Sequence, residues 1–197
     1  MALVLITGGA RCGKSAVAER LAVQRQDSGC PVTVAVFGNP SGDDLEFAER
    51  IRHHRENRPA SFSTIEAFEK RDWLEEVPDD ATLLVDSLGT ALSAIMVHDS
   101  WQTGYKDTID NASDGPIGRR FGELVQQLID REGDTIIVTN EVGDAPAPGF
   151  ESGRIYRSLL GKYNRVLVAA ADAAYLCVCG RLVSLSDLPD TATWPED

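Results

Sequence analysis

The stretch "LVLITGGARCGKS", residues 3–15, decides the reading of the whole chain. Residues 3–7 form a continuous apolar, β-branched run, the pattern of a strand buried on both faces. Residues 8–15, namely Gly8, Gly9, Ala10, Arg11, Cys12, Gly13, Lys14 and Ser15, match G-x-x-x-x-G-K-[ST] in full. The glycines let such a loop wind tightly, so that successive backbone N–H groups point inward at phosphate oxygens. A helix opening at Lys14 adds its partial positive charge. Lys14 is placed to reach the β and γ phosphates, and the Ser15 hydroxyl to ligate Mg²⁺. Such a site also needs a carboxylate at the end of a neighbouring strand. Asp86, closing "TLLVD", is the candidate. Glu141, just after "TIIVT", would lie on the same carboxyl edge, where ligands of open α/β sheets bind. Its role is open between metal ligand, base and structural contact.

Working outward, the spacing predicts a helix from about 14 to 26, with Val17, Leu21 and Ala22 on one side. A second buried strand is expected at 32–37. A helix over 43–56 follows, acidic at its start and basic at its end as the helix dipole favours, with Pro59 closing the segment. Strands are expected at 82–86 and 135–139. Between them lie helices at about 88–97 and 117–131, separated by a long polar loop over 99–116. Residues 153–172 read as a long helix. "AYLCVCGRLVSL", 174–185, reads as a strand turning at Gly180 into a short partner. Strands alternating with helices imply an α/β fold with a mostly parallel sheet flanked by helices. We expect one domain over 1–185 and a flexible tail over 186–197.

A formal net charge of −12 argues against nucleic-acid binding, which needs a basic face to displace counterions. The N-terminal apolar run is far shorter than the ~18 residues of a membrane span, and no signal-peptide pattern follows it, so the expected location is cytoplasmic. The four cysteines, Cys12, Cys30, Cys177 and Cys179, contain no C-x-x-C pair. They are expected to be buried, reduced thiols, with Cys177 and Cys179 on one face of a strand.

The segment "RIRHHRENRP", 50–59, holds two of the three histidines. On a helix, Phe47, Ile51 and His54 share an apolar stripe, while His53 falls opposite with Glu46, Glu49 and Arg50. Adjacent helical residues cannot both face one metal ion, so a two-histidine metal site is disfavoured. His54 reads as a packed histidine. His53 lies among Arg50, Arg52, Arg55 and Arg58, either at a solvated basic helix end or beside a bound anion. An imidazole with a pKa near ~6.5 is a competent nucleophile toward phosphorus at neutral pH.

The phosphate loop, "RIRHHRENRP" and the later "TNEVG" (139–143) together resemble the bifunctional adenosylcobinamide kinase / adenosylcobinamide-phosphate guanylyltransferase family. Arg157, Gly161, Asn164, Ala171 and Asp172 also stand in matching places. The resemblance runs to about Val183. It implies phosphorylation of adenosylcobinamide with ATP or GTP as donor. GMP then passes from GTP, through a covalent histidine, to the new phosphate. It assigns GMP to His53 and nucleotide contacts to Val36, Phe37, Gly38, His54, Arg55, Glu56, Asn57 and Glu66. It further implies a RecA-like P-loop domain, Mg²⁺ dependence and a homotrimer. Cys12 stands where that family more often has serine, Arg165 and Val168 where it has glutamine and alanine, and Asp86 where some relatives have glutamate. Two other readings share the phosphate loop: a small-molecule kinase using direct transfer, and a nucleotide-dependent switch.

Overall fold

The computed structural model describes residues 1–38, 49, 58–68, 70–103, 113–144 and 146–191, with residues 99–103 described as backbone alone. Its elements in chain order are β1 (Leu3–Gly8), α1 (Lys14–Asp27), β2 (Val32–Val36), β3 (Ser63–Glu66), a 3₁₀ turn (Trp73–Glu76) and β4 (Thr82–Asp86). Then come α2 (Leu88–Thr103), α3 (Pro116–Asp130), β5 (Thr135–Val138), α4 (Glu151–Ala170), β6 (Ala173–Val178) and β7 (Arg181–Ser184).

The strands form one sheet in the order β3-β2-β4-β5-β1-β6-β7. Every pairing is parallel except β6 with β7. Because the central strands are apolar throughout, alternate residues feed two separate cores. Leu5, Ala35, Leu83, Val85 and Ile137 pack under α2, α3 and α4. Ile6, Val34, Leu84, Ile136 and Val138 pack under α1 through Val17, Ala18 and Ala22. α3 buries Ile117, Phe121, Val125 and Leu128, a stripe at helical spacing. Phe121 meets Tyr163 of α4 edge-on, with ring centroids 5.1 Å apart.

Three expectations need correction. β3 is absent from the sequence reading because only Ile65 of its four residues is buried, so no apolar run marks it. α2 continues to Thr103, into the stretch expected to be loop. Cys179 is not on a strand face. It opens the two-residue turn of the β6–β7 hairpin, with φ 50° followed by 74° at Gly180. Positive φ at both central residues is the type I′ geometry that suits strand twist. Cys179 is therefore exposed, Cys12 and Cys30 are half-buried, and only Cys177 is fully buried. The helix expected over 43–56 lies outside the described residues, except for Glu49, which is helical. At the other end, Ser186 accepts a hydrogen bond from the Ala174 N–H at 3.0 Å and so remains tied to the sheet.

Candidate active site

All parallel strands end on one edge, and the first of them runs directly into the glycine-rich loop. Gly8 (φ 155°) closes β1, Arg11 adopts φ 57°, and Gly13 (φ 100°) is the N-terminal cap of α1. The loop therefore delivers its amides at the start of a 14-residue helix, the geometry that favours bound phosphate. Lys14 is 8% exposed and its Nζ donates to the Gly9 carbonyl at 3.0 Å, folding the cation back over the loop. Ser15 Oγ donates to Asp86 Oδ1 at 3.2 Å. β5 lies between β1 and β4, so two strand spacings of about 4.8 Å each separate the loop strand from the carboxylate strand. α1 carries Ser15 across that gap.

The loop is braced from the other side by the β6–β7 hairpin, to which the sequence reading assigned no role. The Gly180 N–H donates to the Cys12 carbonyl at 2.8 Å, and the Cys177 thiol donates to the same oxygen at 3.2 Å. A signal was present in "CVCG", where a tight turn follows a strand, but nothing local says which neighbour the turn touches. Burial, and next a hydrogen bond with the Cys12 thiol, push the Cys177 thiol above its ordinary pKa.

Glu141 donates its N–H to the Gly8 carbonyl at 3.0 Å, which places its segment against the loop. Its carboxylate turns into its own bend and accepts the Gly143 N–H, while Arg157 donates to the Gly143 carbonyl. Among the three roles left open for Glu141, this geometry is that of the structural contact.

"TNEVG" is organised by α4. Asn164, 6% exposed, accepts the Thr139 hydroxyl at 2.8 Å and donates to the Asn140 carbonyl at 3.0 Å. The Tyr156 phenol, raised in pKa by burial, is also hydrogen-bonded to Asn140. Asn164→Ala strands a buried hydroxyl and a partly buried carbonyl together. We expect a loss of about 2–4 kcal/mol, read as a shift in the urea midpoint, because each orphaned polar group costs ~1–3 kcal/mol.

The remaining candidates fall further along the edge. Val36 ends β2 with Phe37 and Gly38 just after it, and Glu66 ends β3, beyond β4 as seen from the loop. Phe37 is 5% exposed and stacks edge-on against Trp73 at 5.2 Å, so its side chain belongs to the core. Glu66 is exposed. His53, His54, Arg55, Glu56 and Asn57 lie outside the described residues. A cavity of about 420 Å³ opens beside Phe37, between α2, α3 and the 67–73 segment. Lys70, Arg71, Arg119 and Arg120 line it together with Asp72 and Glu123, a charged wall that the sequence did not reveal because those residues lie far apart along it. No group of three or more potential metal ligands occurs among the described protein side chains.

A strand, glycine loop and helix at the carboxyl edge of a mostly parallel, helix-covered sheet define a P-loop nucleoside-triphosphate protein. The family model for cobinamide kinase / cobinamide phosphate guanyltransferase matches residues 4–185. The chain is 32% identical to the bifunctional adenosylcobalamin biosynthesis protein CobU of Salmonella typhimurium, covering 90% of this chain and 96% of that one. It is 28% identical to the protein of the same name in Escherichia coli, over 90% and 96% of the two chains. With the bifunctional adenosylcobalamin biosynthesis protein CobP of Pseudomonas aeruginosa it shares 30% identity over 94% and 98%. Among solved structures, a KaiC-like protein from Pyrococcus horikoshii superposes with a TM-score of 0.43 at 13% identity, over 89% of this chain and 70% of that one. The chain belongs to the cobinamide kinase / cobinamide phosphate guanyltransferase family. It is accordingly an enzyme of cobalamin biosynthesis, a kinase and guanylyltransferase.

Proposed function

We propose that this chain phosphorylates the terminal hydroxyl of adenosylcobinamide with ATP or GTP, and then transfers GMP from GTP to the new phosphate through His53. The observation that carries the reading is a family match over residues 4–185 joined to an intact phosphate loop with Lys14 folded over it. In the first reaction the acceptor oxygen attacks the γ-phosphorus, and the nucleoside diphosphate leaves. Loop N–H groups and Lys14 hold the phosphate oxygens and offset the charge that develops on them, and most of the rate enhancement in phosphoryl transfer comes from such fixed charges and dipoles. In the second reaction an imidazole nitrogen of His53 attacks the α-phosphorus of GTP, and pyrophosphate leaves. The cobinamide phosphate oxygen then attacks the same phosphorus, releasing His53 and giving adenosyl-GDP-cobinamide. Splitting the transfer in two exchanges one difficult displacement for two easier ones.

The facing Ser15 hydroxyl and Asp86 carboxylate are hard oxygen donors of the kind Mg²⁺ selects. These two residues would hold the ion, which would supply positive charge against that of the phosphates. The nucleotide-binding set is the loop from Gly8 to Ser15, with Val36–Gly38, His54–Asn57, Glu66 and Asp86 as its outer members.

The working form we infer is a homotrimer in the cytoplasm. Val178, Leu182, Val183 and Leu188 are exposed apolar residues gathered at the edge hairpin, which supports burial of that edge between copies. No helix among the described residues is long and apolar enough to cross a membrane.

The test of function supplies purified protein with adenosylcobinamide, ATP, GTP and Mg²⁺ and follows products by chromatography. ATP alone is expected to yield the phosphate ester, and GTP then to release pyrophosphate in step with adenosyl-GDP-cobinamide. A protein that makes the ester yet never releases pyrophosphate would be a direct kinase only.

A further inference from the structure

Two of the four cysteines meet at the phosphate loop, although they stand at positions 12 and 177 of the sequence. β1 pairs with β6 so that Gly8 lies beside Cys177, and the hairpin turn that follows is hydrogen-bonded to the carbonyl of Cys12. The Cys177 thiol reaches that same carbonyl at 3.2 Å. A Cβ placed on Gly8 would meet the Cys12 sulfur at 2.8 Å and the Cys177 carbonyl at 2.5 Å, so both cysteines crowd one side of one residue. The Cys177 thiol therefore touches the Cys12 backbone, and the Cys12 sulfur lies against the residue that pairs with Cys177. These are two reduced cysteines side by side, one on the loop and one on the strand behind it.

We propose that Cys12 and Cys177 form a peroxide-sensitive thiol pair whose oxidation to a disulfide disables the phosphate loop. Cys12 is the half-buried member and Cys177 the fully buried one, so the oxidant meets Cys12 first. Hydrogen peroxide accepts the electron pair of the Cys12 thiolate. The O–O bond breaks, giving a sulfenic acid on Cys12 and, with the thiol proton, one water. The Cys177 sulfur then attacks the Cys12 sulfur, the S–O bond breaks, and a second water leaves with the Cys177 proton. Two thiols and one peroxide thus become one disulfide and two waters. Cys179, exposed in the turn, is not part of the pair.

The loop cannot accept this bond unmoved. The two sulfurs of a disulfide stand about 2.05 Å apart, and closing to that distance draws the Cys12 backbone toward β6. The carbonyl of Cys12 now held by Gly180 N–H moves with it, and the neighbouring amides no longer converge on one phosphate. A misplacement of about 1 Å costs about a hundredfold in catalytic geometry. The loss of activity rests on the phosphate-loop role proposed above, whereas formation of the cross-link does not.

The experiment treats the full chain with hydrogen peroxide, alkylates the remaining thiols and maps the peptides by mass spectrometry. Kinase turnover is followed in parallel, before and after dithiothreitol. We expect a Cys12–Cys177 linked peptide, a fall in turnover of about 10–100-fold in step with it, and recovery on reduction. Cys179→Ser should leave cross-linking and inactivation intact. Cys177→Ser, with a hydroxyl in place of the thiol, should resist rapid reversible inactivation, and its melting temperature shows whether the fold survives. The wild-type peptide map stands even if that variant does not fold. The proposal is overturned if Cys12 remains reduced while Cys30 or Cys179 oxidises, if Cys12 goes to sulfinic acid without linkage, or if the linked protein turns over normally. A linked but unimpaired enzyme would place the fault in the loop's assigned role rather than in the thiol chemistry.

Discussion

Lys14→Ala yields a protein that melts within a few degrees of the parent yet transfers phosphate about a thousandfold more slowly. The two halves of that expectation have separate causes. Lys14 is a nearly buried cation, and removing such a charge relieves a desolvation penalty of several kcal/mol even as it gives up its local partners. Stability should therefore change little. Catalysis loses a preorganised charge at the position where negative charge builds in the transition state, and deletion of one such group typically costs ~10²–10³ in rate. Because the ammonium is already folded over the loop through Gly9, no side-chain search precedes binding. The measurement pairs a thermal melt with single-turnover phosphoryl transfer. A parallel collapse of melting temperature and rate would instead make Lys14 a structural residue.

Gly8→Ala acts through the fold. Gly8 sits in the Cα register of Cys177, and the added Cβ would stand 2.5 Å from the Cys177 carbonyl oxygen. That oxygen is backbone, so the strands must part to admit a methyl group. The residue also has a φ of 155°, which L side chains seldom adopt. Overpacking of this kind costs ~1–3 kcal/mol and backbone strain ~1–3 kcal/mol more. We expect a total of about 2–6 kcal/mol and, at ~2–4 °C per kcal/mol for a chain this size, a melting point lower by about 4–24 °C. Nucleotide should no longer stabilise the protein at millimolar concentration. Gly13→Ala offers the comparison: its Cβ would meet Gly180 Cα at 3.5 Å, an ordinary contact, leaving only the strain of φ 100°. Gly13→Ala should therefore cost less than Gly8→Ala, and the reverse order in denaturant melts would contradict the packing described.

What could be read from the chain and what could not divide along physical lines. β1, β2, β4 and β5 are buried on both faces, so their apolar runs announce them, and the phosphate loop is a contiguous string. Ser15 and Asp86 meet because α1 begins where the loop ends, and both were legible as a loop hydroxyl and a strand-end carboxylate. β3 escaped because an edge strand with one buried residue has no pattern to read. The environment of Cys12 escaped because β6 arrives from the far end of the sequence, and nothing near position 12 encodes its neighbour. Glu141 was legible as an edge carboxylate but not in its direction, which depends on the Gly143 N–H two residues on. In "CVCG", strand alternation was extended one residue too far. A glycine after a cysteine fits a two-residue turn equally well, and the turn prevailed.

The central chemical claim is that His53 carries GMP. The direct measurement incubates the protein with GTP labelled at the α-phosphorus, quenches without acid, and separates protein from nucleotide under denaturing conditions. We expect label on the protein that is stable to base, lost in mild acid as a phosphoramidate should be, and mapped to the peptide holding "RIRHHRENRP". It should be absent from His53→Ala and retained by His54→Ala. Label from the γ-phosphorus should not transfer. Label that persists in His53→Ala, or a wild-type protein that never becomes labelled while it still forms adenosyl-GDP-cobinamide, would contradict the account.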